Sequence, residues 1–294
     1  MTKKRKKFKL STFVTDSIIA LFLFALVIVC AYPVWYVIAA SFTSSSELVA
    51  NPGLFFWPEK FSASAYELAF ENPLIIGGFF NSLKILGLGL PINIVMTVLC
   101  AYFMASKGMM LKRPLVLMVT FTMFFGGGLI PAYLNVSSLG LMDSVWALIL
   151  PGAVSVYNTI ICKTAMETIP SSLSESAFID GANDFQVLFR IILPLMKPTL
   201  AVLLLYYGVG HWNSWFSASI YIKDDTGLPI QNILRAFLQA NSALSLNENL
   251  DDYNAYAETI KYAAIVISTV PILCIYPFLQ KYFAKGAMIG AVKG

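Results

Sequence analysis

Charge is what this sequence has least of. Asp, Glu, Lys and Arg together make up 12% of its 294 residues, about half the share usual in a soluble domain. It has one histidine, His211, and no H-E-x-x-H motif, and its four cysteines (Cys30, Cys100, Cys162 and Cys274) are scattered through apolar runs. That pattern excludes a zinc protease and a disulfide framework, and the thiols read as ordinary buried ones. No Gly-Lys dipeptide occurs, so the chain has no phosphate-binding P-loop and hydrolyses no nucleotide itself. Neither a metal site nor a catalytic residue is expected, and the chain carries no cofactor of its own. Acids are missing from every long apolar run. An ion-coupled secondary transporter, the alternative class, normally needs such acids together with internal repeats. The net charge of +4 comes from basic residues flanking apolar runs, a topology signal that gives no hint of nucleic acid.

Apolar residues are abundant, at 58%. Six stretches are free of charged residues: 17–46, 85–106, 114–142, 144–162, 198–222 and 262–280. Each approaches or exceeds the roughly 20 residues that carry a helix across a bilayer. None alternates with period two, so the expected class is all-α, a polytopic membrane protein with six transmembrane helices. The first stretch is too long for a cleaved signal peptide. Six basic residues crowd positions 3–9, and with that end cytoplasmic, 15 of the 20 Lys and Arg lie inside while 11 of the 16 acids lie outside. Both termini are therefore expected in the cytoplasm.

This divides the chain into a basic N-terminus over 1–16, a membrane domain over 17–282 and a glycine-containing tail over 283–294. Outer segments fall at 41–76 and 223–261, and a cytoplasmic loop at 163–198. The first outer segment contains Tyr66, Leu68, Ala69 and Phe70, which suggest a short interfacial helix. The second has Ile230, Ile233, Leu234, Phe237 and Leu238 at helical spacing, then an acidic run from Glu248 to Asp252. Both segments suit either an external partner or a cap on the bundle. In the cytoplasmic loop, Ser172 to Glu175 reads as a capping box, Gly181 as a helix stop with positive φ, and Asn183 to Gln186 as a second box.

Glu175-Ser-Ala-Phe-Ile-Asp-Gly181, followed nine residues later by Ile191-Ile-Leu-Pro194, resembles the loop by which permeases of ABC importers engage their ATPase, E-A-A-x3-G-x9-I-x-L-P. Glu175, Ala177, Gly181, Ile191, Leu193 and Pro194 match, and Ser176 stands in for the first alanine. Ile169-Pro-Ser-Ser-Leu173, Ile179-Asp180-Gly-Ala182, Asn81-Ser-Leu83 and Trp212-Asn213 are similar to the wording of the carbohydrate-uptake branch. Nearly the whole chain resembles the smaller permease of maltose-type, type I ABC importers.

The resemblance implies a type I ABC importer permease in a bacterial or archaeal cytoplasmic membrane. It would form a heterodimer with a second, related permease above a homodimer of ATPase subunits, which hold the ATP and Mg. An external solute-binding protein would deliver a sugar, most in keeping an oligosaccharide, neutral or uronic-acid containing; a non-sugar solute is the alternative within the family. Glu175, Ser176, Ala177, Asp180, Gly181, Ile191, Leu193 and Pro194 would form the coupling element. The tail with Gly286, Gly290, Lys293 and Gly294 would reach towards the ATPase interface. His211, Trp212, Asn213, Trp215 and Tyr221 fall in the fifth apolar stretch. Aromatic faces beside an amide suit sugar rings, although polar groups at that depth also serve to join helices. Lys84, at the edge of a span, either neutralises an acidic sugar or snorkels.

Overall fold

A computed structural model of the protein describes residues 10–50, 53, 56–106, 112–244, 260–275 and 277. Among these, the backbone is helical with no strand, and one isolated bridge joins Thr43 to Phe61. The helices are α1 (Leu10–Ser41), α2 (Ser45–Ala50), α3 (Ser64–Glu71), α4 (Pro73–Ala105), α5 (Lys112–Phe124), α6 (Leu129–Ser138), α7 (Val145–Ile149), α8 (Val156–Glu167), α9 (Ser171–Ile179), α10 (Asp184–Val187), α11 (Leu193–Leu195), α12 (Lys197–Trp212), α13 (Trp215–Tyr221), α14 (Ile230–Leu244) and α15 (Ile260–Ile275). They divide between two compact units. One takes its described residues from Met1–Glu71 and Phe237–Ile267, the other from Asn72–Ala236 and Ser268–Gly294.

Among the described residues two helices, Val14–Ser41 and Pro73–Ala105, are long and apolar enough to cross a membrane, or four if each of two bent pairs is one span. Three of the other apolar stretches, 114–142, 144–162 and 198–222, are helical but interrupted, each for a local reason, and the described part of the sixth is the single helix α15. Gly126, Gly127 and Gly128, the last at φ +86°, separate α5 from α6, which meet at 113°. Pro151-Gly152 divides α7 from α8, and Asn213-Ser214 divides α12 from α13. Helix α4 starts at Pro73, well before the charge-free run at 85, because Asn72 caps it by accepting from the Leu74 amide. A single lysine at 84 does not end a helix.

In the first unit α1 carries an almost wholly apolar exposed surface from Val14 to Ile38, which hydrocarbon would cover. The connection after it is built from side chains. Trp35 Nε1 donates to the Phe56 carbonyl at 2.8 Å, Ser41 bonds the Tyr66 hydroxyl at 2.7 Å, and Phe42 stacks on Phe61. The Glu47 carboxylate accepts the Glu59 and Lys60 amides. Helix α3 buries Ala65 and Ala69 and leaves Phe70 exposed, so its inward face is the small-residue one.

In the second unit α4 is the axis, with α8 and α12 packed along it. Two apolar clusters lie along it. One joins Val98 and Ala101 to Cys162, Met166, Leu188 and Leu203, the other Ile85 to Val136, Ile149, Ala218 and Tyr221. Between these α4 positions lies a polar layer. Asn93, wholly buried, donates through Nδ2 to the carbonyls of Gly152 and Ala153, the two that the α7–α8 break leaves unpaired by helix. Its Oδ1 accepts from His211 at 2.7 Å, which fixes a proton on Nε2. One turn along, the Tyr207 hydroxyl accepts the Ser155 amide and shares a 2.6 Å bond with Thr97. Gly89 makes room for this layer, since a Cβ there would lie 2.9 Å from His211 Nε2.

Of the cysteines, Cys162 is buried as expected, whereas Cys30 and Cys274 lie on exposed helix faces. In an apolar helix these faces need not point into protein. Two outcomes are expected at the polar layer. Tyr207→Phe should lower stability by about 0.6–1.7 kcal/mol, the range for single interhelical hydrogen bonds in membranes. Gly89→Ala should cost more, about 1–3 kcal/mol, through overpacking against His211. Thermal unfolding of the purified protein reads both, and an unaltered melting point for Gly89→Ala would contradict the packing described.

Candidate functional site

The loop between α8 and α12 is an ordered structure of its own. Helix α9 begins at Ser171 with Pro170 as its cap residue and no side-chain cap bond. The box expected from Ser172 and Glu175 therefore does not form. The fixed φ of Pro170 sets the entry two residues earlier, and Glu175 falls in the second turn. The C-terminal end behaves as the sequence indicates. Gly181 sits at φ +84°, its amide donates to Phe178 O at 3.0 Å, and the Ala182 amide donates to Ala177 O at 2.9 Å. Those paired bonds make a Schellman stop, whose usual companion is an apolar contact between the residues at the two ends. Here they are Ala177 and Ala182, both packed against the cluster of Val187, Leu188 and Met166. Asp180 is the C-cap residue and exposed, and Ser176 lends its carbonyl to the Asp180 amide.

The chain then restarts. Asn183 accepts from the Gln186 amide and Gln186 returns the bond to the Asn183 amide, each at 2.9 Å, a complete capping box for α10. Tyr102 at the end of α4 donates to Asp184 Oδ1 at 2.8 Å and ties this start to the bundle. Leu188–Ile192 is a turn of π-helix, closed by the Leu193 amide on Leu188 O. Its cause lies two residues on, because Pro194 has no N–H for the Arg190 carbonyl and its ring would strike that carbonyl in a regular helix. Ile191 is half-buried, Leu193 packs on the cluster, and Pro194 is exposed in α11. An 85° bend at Met196 then leads into α12.

Large apolar side chains stand exposed on this loop among polar ones. Ile179 is 86% exposed, Phe185 66% and Phe189 57%, with Phe178 and Leu173 also open, and no residue of α9 is buried. Behind α9 lies a cavity of about 660 Å³ bordered by Tyr102, Lys112, Glu167, Ser174, Glu175 and Phe178, among others. Its rim carries both signs of charge. Tail residues Gly286, Gly290, Lys293 and Gly294 lie outside the described residues, as do the basic N-terminal cluster and the acidic run 248–252.

The five residues singled out in the fifth apolar stretch do not converge. His211 is spent on Asn93, Trp212 is buried with Nε1 donating to Ser268 O at 2.9 Å, and Tyr221 is buried and stacked on Tyr133. These three join helices. Asn213, at the break, is exposed, and Trp215 is half-buried beneath the guanidinium of Arg235, whose Cζ lies 3.5 Å from the ring centroid. Sequence reasoning missed Arg235, Asn93, Thr97 and Tyr207, since each acts through a partner far away in the chain. Lys84 lies beside a cleft of about 350 Å³ with Trp146, Asp143 and Asp224. There hydrogen bonds from the Thr226 hydroxyl and amide hold the Asp224 carboxyl below its usual range. Among the described residues no His, Cys, Asp and Glu cluster could hold a metal.

Known proteins resemble the chain along almost its entire length. The model of the family described as "Binding-protein-dependent transport system inner membrane component" matches residues 1–288. The polygalacturonan/rhamnogalacturonan transport system permease protein YtcP of Bacillus subtilis is 41% identical over 95% of this chain and 98% of its own. Protein LplC of the same organism is 41% identical over 89% of each chain. In the crystal structure of a bacterial ABC transporter involved in the import of the acidic polysaccharide alginate, one chain superposes with a TM-score of 0.86 at 28% identity, covering 95% of this chain and 100% of that one.

At Gly181 an added Cβ meets nothing within 4 Å, so any penalty there is purely torsional. Gly181→Asn should keep the stop, since asparagine tolerates the left-handed region, whereas Gly181→Val should lose about 1–2 kcal/mol or more. Hydrogen exchange at the Ala182 and Val187 amides reads the difference. Full protection in the valine variant would falsify the torsional account.

Proposed function

The chain belongs to the family of binding-protein-dependent transport system inner membrane components, and from that premise we propose that it is one permease of an ATP-driven importer for an acidic oligosaccharide. The observation that carries this reading is the 171–196 loop. Loops seldom keep two capped helices unless something holds them, and this one turns Ile179, Phe185 and Phe189 outward. In the proposed topology the chain crosses the membrane six times with both termini in the cytoplasm. The loop then lies where an ATPase partner can receive it, with ATP and Mg held by that partner. A second permease completes the pathway and an external binding protein delivers the sugar.

The route of coupling follows from rigidity. An ATPase gripping α9 would move α10 with it, because the Schellman stop and the capping box leave almost no slack between them. Displacement of α10 would reach α4 through Asp184 and Tyr102, and α8 through the cluster around Val187, Leu188 and Met166. The chain supplies no reacting group. Its work is to convert a pull on the loop into a tilt of α4, α8 and α12.

Two lines support an acidic cargo. The relative YtcP is named for polygalacturonan and rhamnogalacturonan, and the superposing transporter for alginate; all three polymers contain uronic acids. The chain also exposes Lys84, at the start of an apolar stretch, and Arg235, in the outer segment 223–261, cations that a neutral sugar would not require.

Reconstitution of the complete complex in vesicles tests the proposal. ATP-dependent uptake of a labelled oligogalacturonide is expected, with neutral oligosaccharides of equal length taken up less well. Glu175→Lys should abolish that uptake and leave the melting point unchanged, since it reverses charge on an exposed loop. Ordinary uptake by the Glu175→Lys complex refutes the coupling role, and indifference to substrate charge refutes the acidic cargo.

A further inference from the structure

Helix α14 enters the second unit through close backbone contact. A Cβ on Gly78 would lie 2.9 Å from Ile233 Cγ1 and 3.2 Å from the Ile230 backbone, and the Ile230 amide donates to Ser82 Oγ at 3.0 Å. Asn232 pins the same turn to α13, donating through Nδ2 to the Trp215 carbonyl and to Ser219 Oγ. One turn further, Arg235 lies flat enough on Trp215 to bring Cζ within 3.5 Å of the ring centroid. Its position is therefore set by two anchored neighbours and an indole.

What the guanidinium does with its donors is the informative point. Arg235 is exposed, and among the described residues no hydrogen bond or ion pair engages it. Five N–H donors stand uncommitted around a group whose one face the indole covers. Beside it is the α12–α13 break, where Asn213 is exposed, and Phe216, 51% exposed, stands at 83° to Trp215. Irregular backbone and an exposed amide within an apolar stretch cannot face hydrocarbon, so this place faces water or protein. A planar cation with free donors, an amide and an open ring are the complements of a carboxylate, a hydroxyl and a sugar CH face.

We propose that Arg235, stacked on Trp215 at the α12–α13 break, is the residue of this chain that selects acidic sugars, its guanidinium fork binding a uronate carboxylate while Asn213 and Phe216 meet the ring. This rests on the reading of the protein as a permease for acidic oligosaccharides. Trp215 is the positioning residue, since it holds the fork in one plane. Lysine cannot replace arginine here, because an ammonium neither stacks in that plane nor presents two parallel donors.

The test uses the whole reconstituted complex with two labelled substrates, an oligogalacturonide and its methyl ester, each titrated from well below to well above the concentration that saturates the binding protein. The binding protein's own preference is common to all variants and cancels when variant and parent are compared. Arg235→Gln should raise the half-saturating concentration for the acid about ten- to a hundredfold, the equivalent of a lost charged hydrogen-bond pair. It should leave the ester within about twofold, and Arg235→Lys and Trp215→Phe should fall between parent and Arg235→Gln for the acid alone. Equal change for both substrates, or none for the acid, overturns the assignment while leaving the acidic-sugar reading intact. A parent complex indifferent to esterification overturns that reading, and the role of Arg235 falls with it.

Discussion

Everything in the larger unit depends on a narrow belt of hydrogen bonds crossing α4 between two apolar clusters. Asn93, Thr97, Tyr207 and His211 occupy two adjacent turns, and together they satisfy the Gly152 and Ala153 carbonyls and the Ser155 amide. In water such groups would find solvent, but at this depth there is none to spare, and an unpaired backbone group costs several kcal/mol. The break between α7 and α8 can exist only because α4 and α12 supply its partners. The polar belt thus fixes the lateral registry of the three helices, and the apolar clusters on either side add contact area without specifying position.

The 171–196 loop meets a different constraint. It lies beyond the apolar stretches and must hold its shape with few buried side chains. Backbone geometry does that work instead, with proline at the entry, glycine at the stop, a reciprocal box at the restart and a π turn ahead of Pro194. Ala177, Ala182, Val187, Leu188, Ile192, Leu193 and Met196 reach inward. The opposite side is left open, as the proposed coupling role requires.

Local signals in the sequence were legible wherever the physics was local. Gly181, the Asn183–Gln186 box, the helical character of 230–238 and the Glu175 to Pro194 pattern were all readable, because each depends on residues within a few positions of one another. Helix interruptions were not. Apolar runs over 114–142, 144–162 and 198–222 look continuous by composition, yet Gly126–Gly128, Pro151-Gly152 and Asn213-Ser214 break them. The box at Ser172 failed since Pro170 offered a competing start. Spacing on the fifth stretch grouped His211, Trp212, Asn213, Trp215 and Tyr221 as one site. Three of those are committed elsewhere by partners dozens of residues away, Asn93, Ser268 and Tyr133. The cation over Trp215 comes from a segment that composition alone marks only as amphipathic.

The π turn at Leu188–Ile192 has a consequence for how the loop tolerates change. It holds one residue more than an α turn of the same span, and each residue in a helix corresponds to a rotation of roughly 100°. Deleting any one of those five would let the turn relax to α geometry and spin α9 and α10 by about that angle around the axis leading to α12. Deletion of the exposed Phe189 or Arg190 would leave the core side chains in place, yet Ile179 and Phe185 would present themselves to a different quarter of space. The number of residues in the joint thus sets the direction in which the loop points.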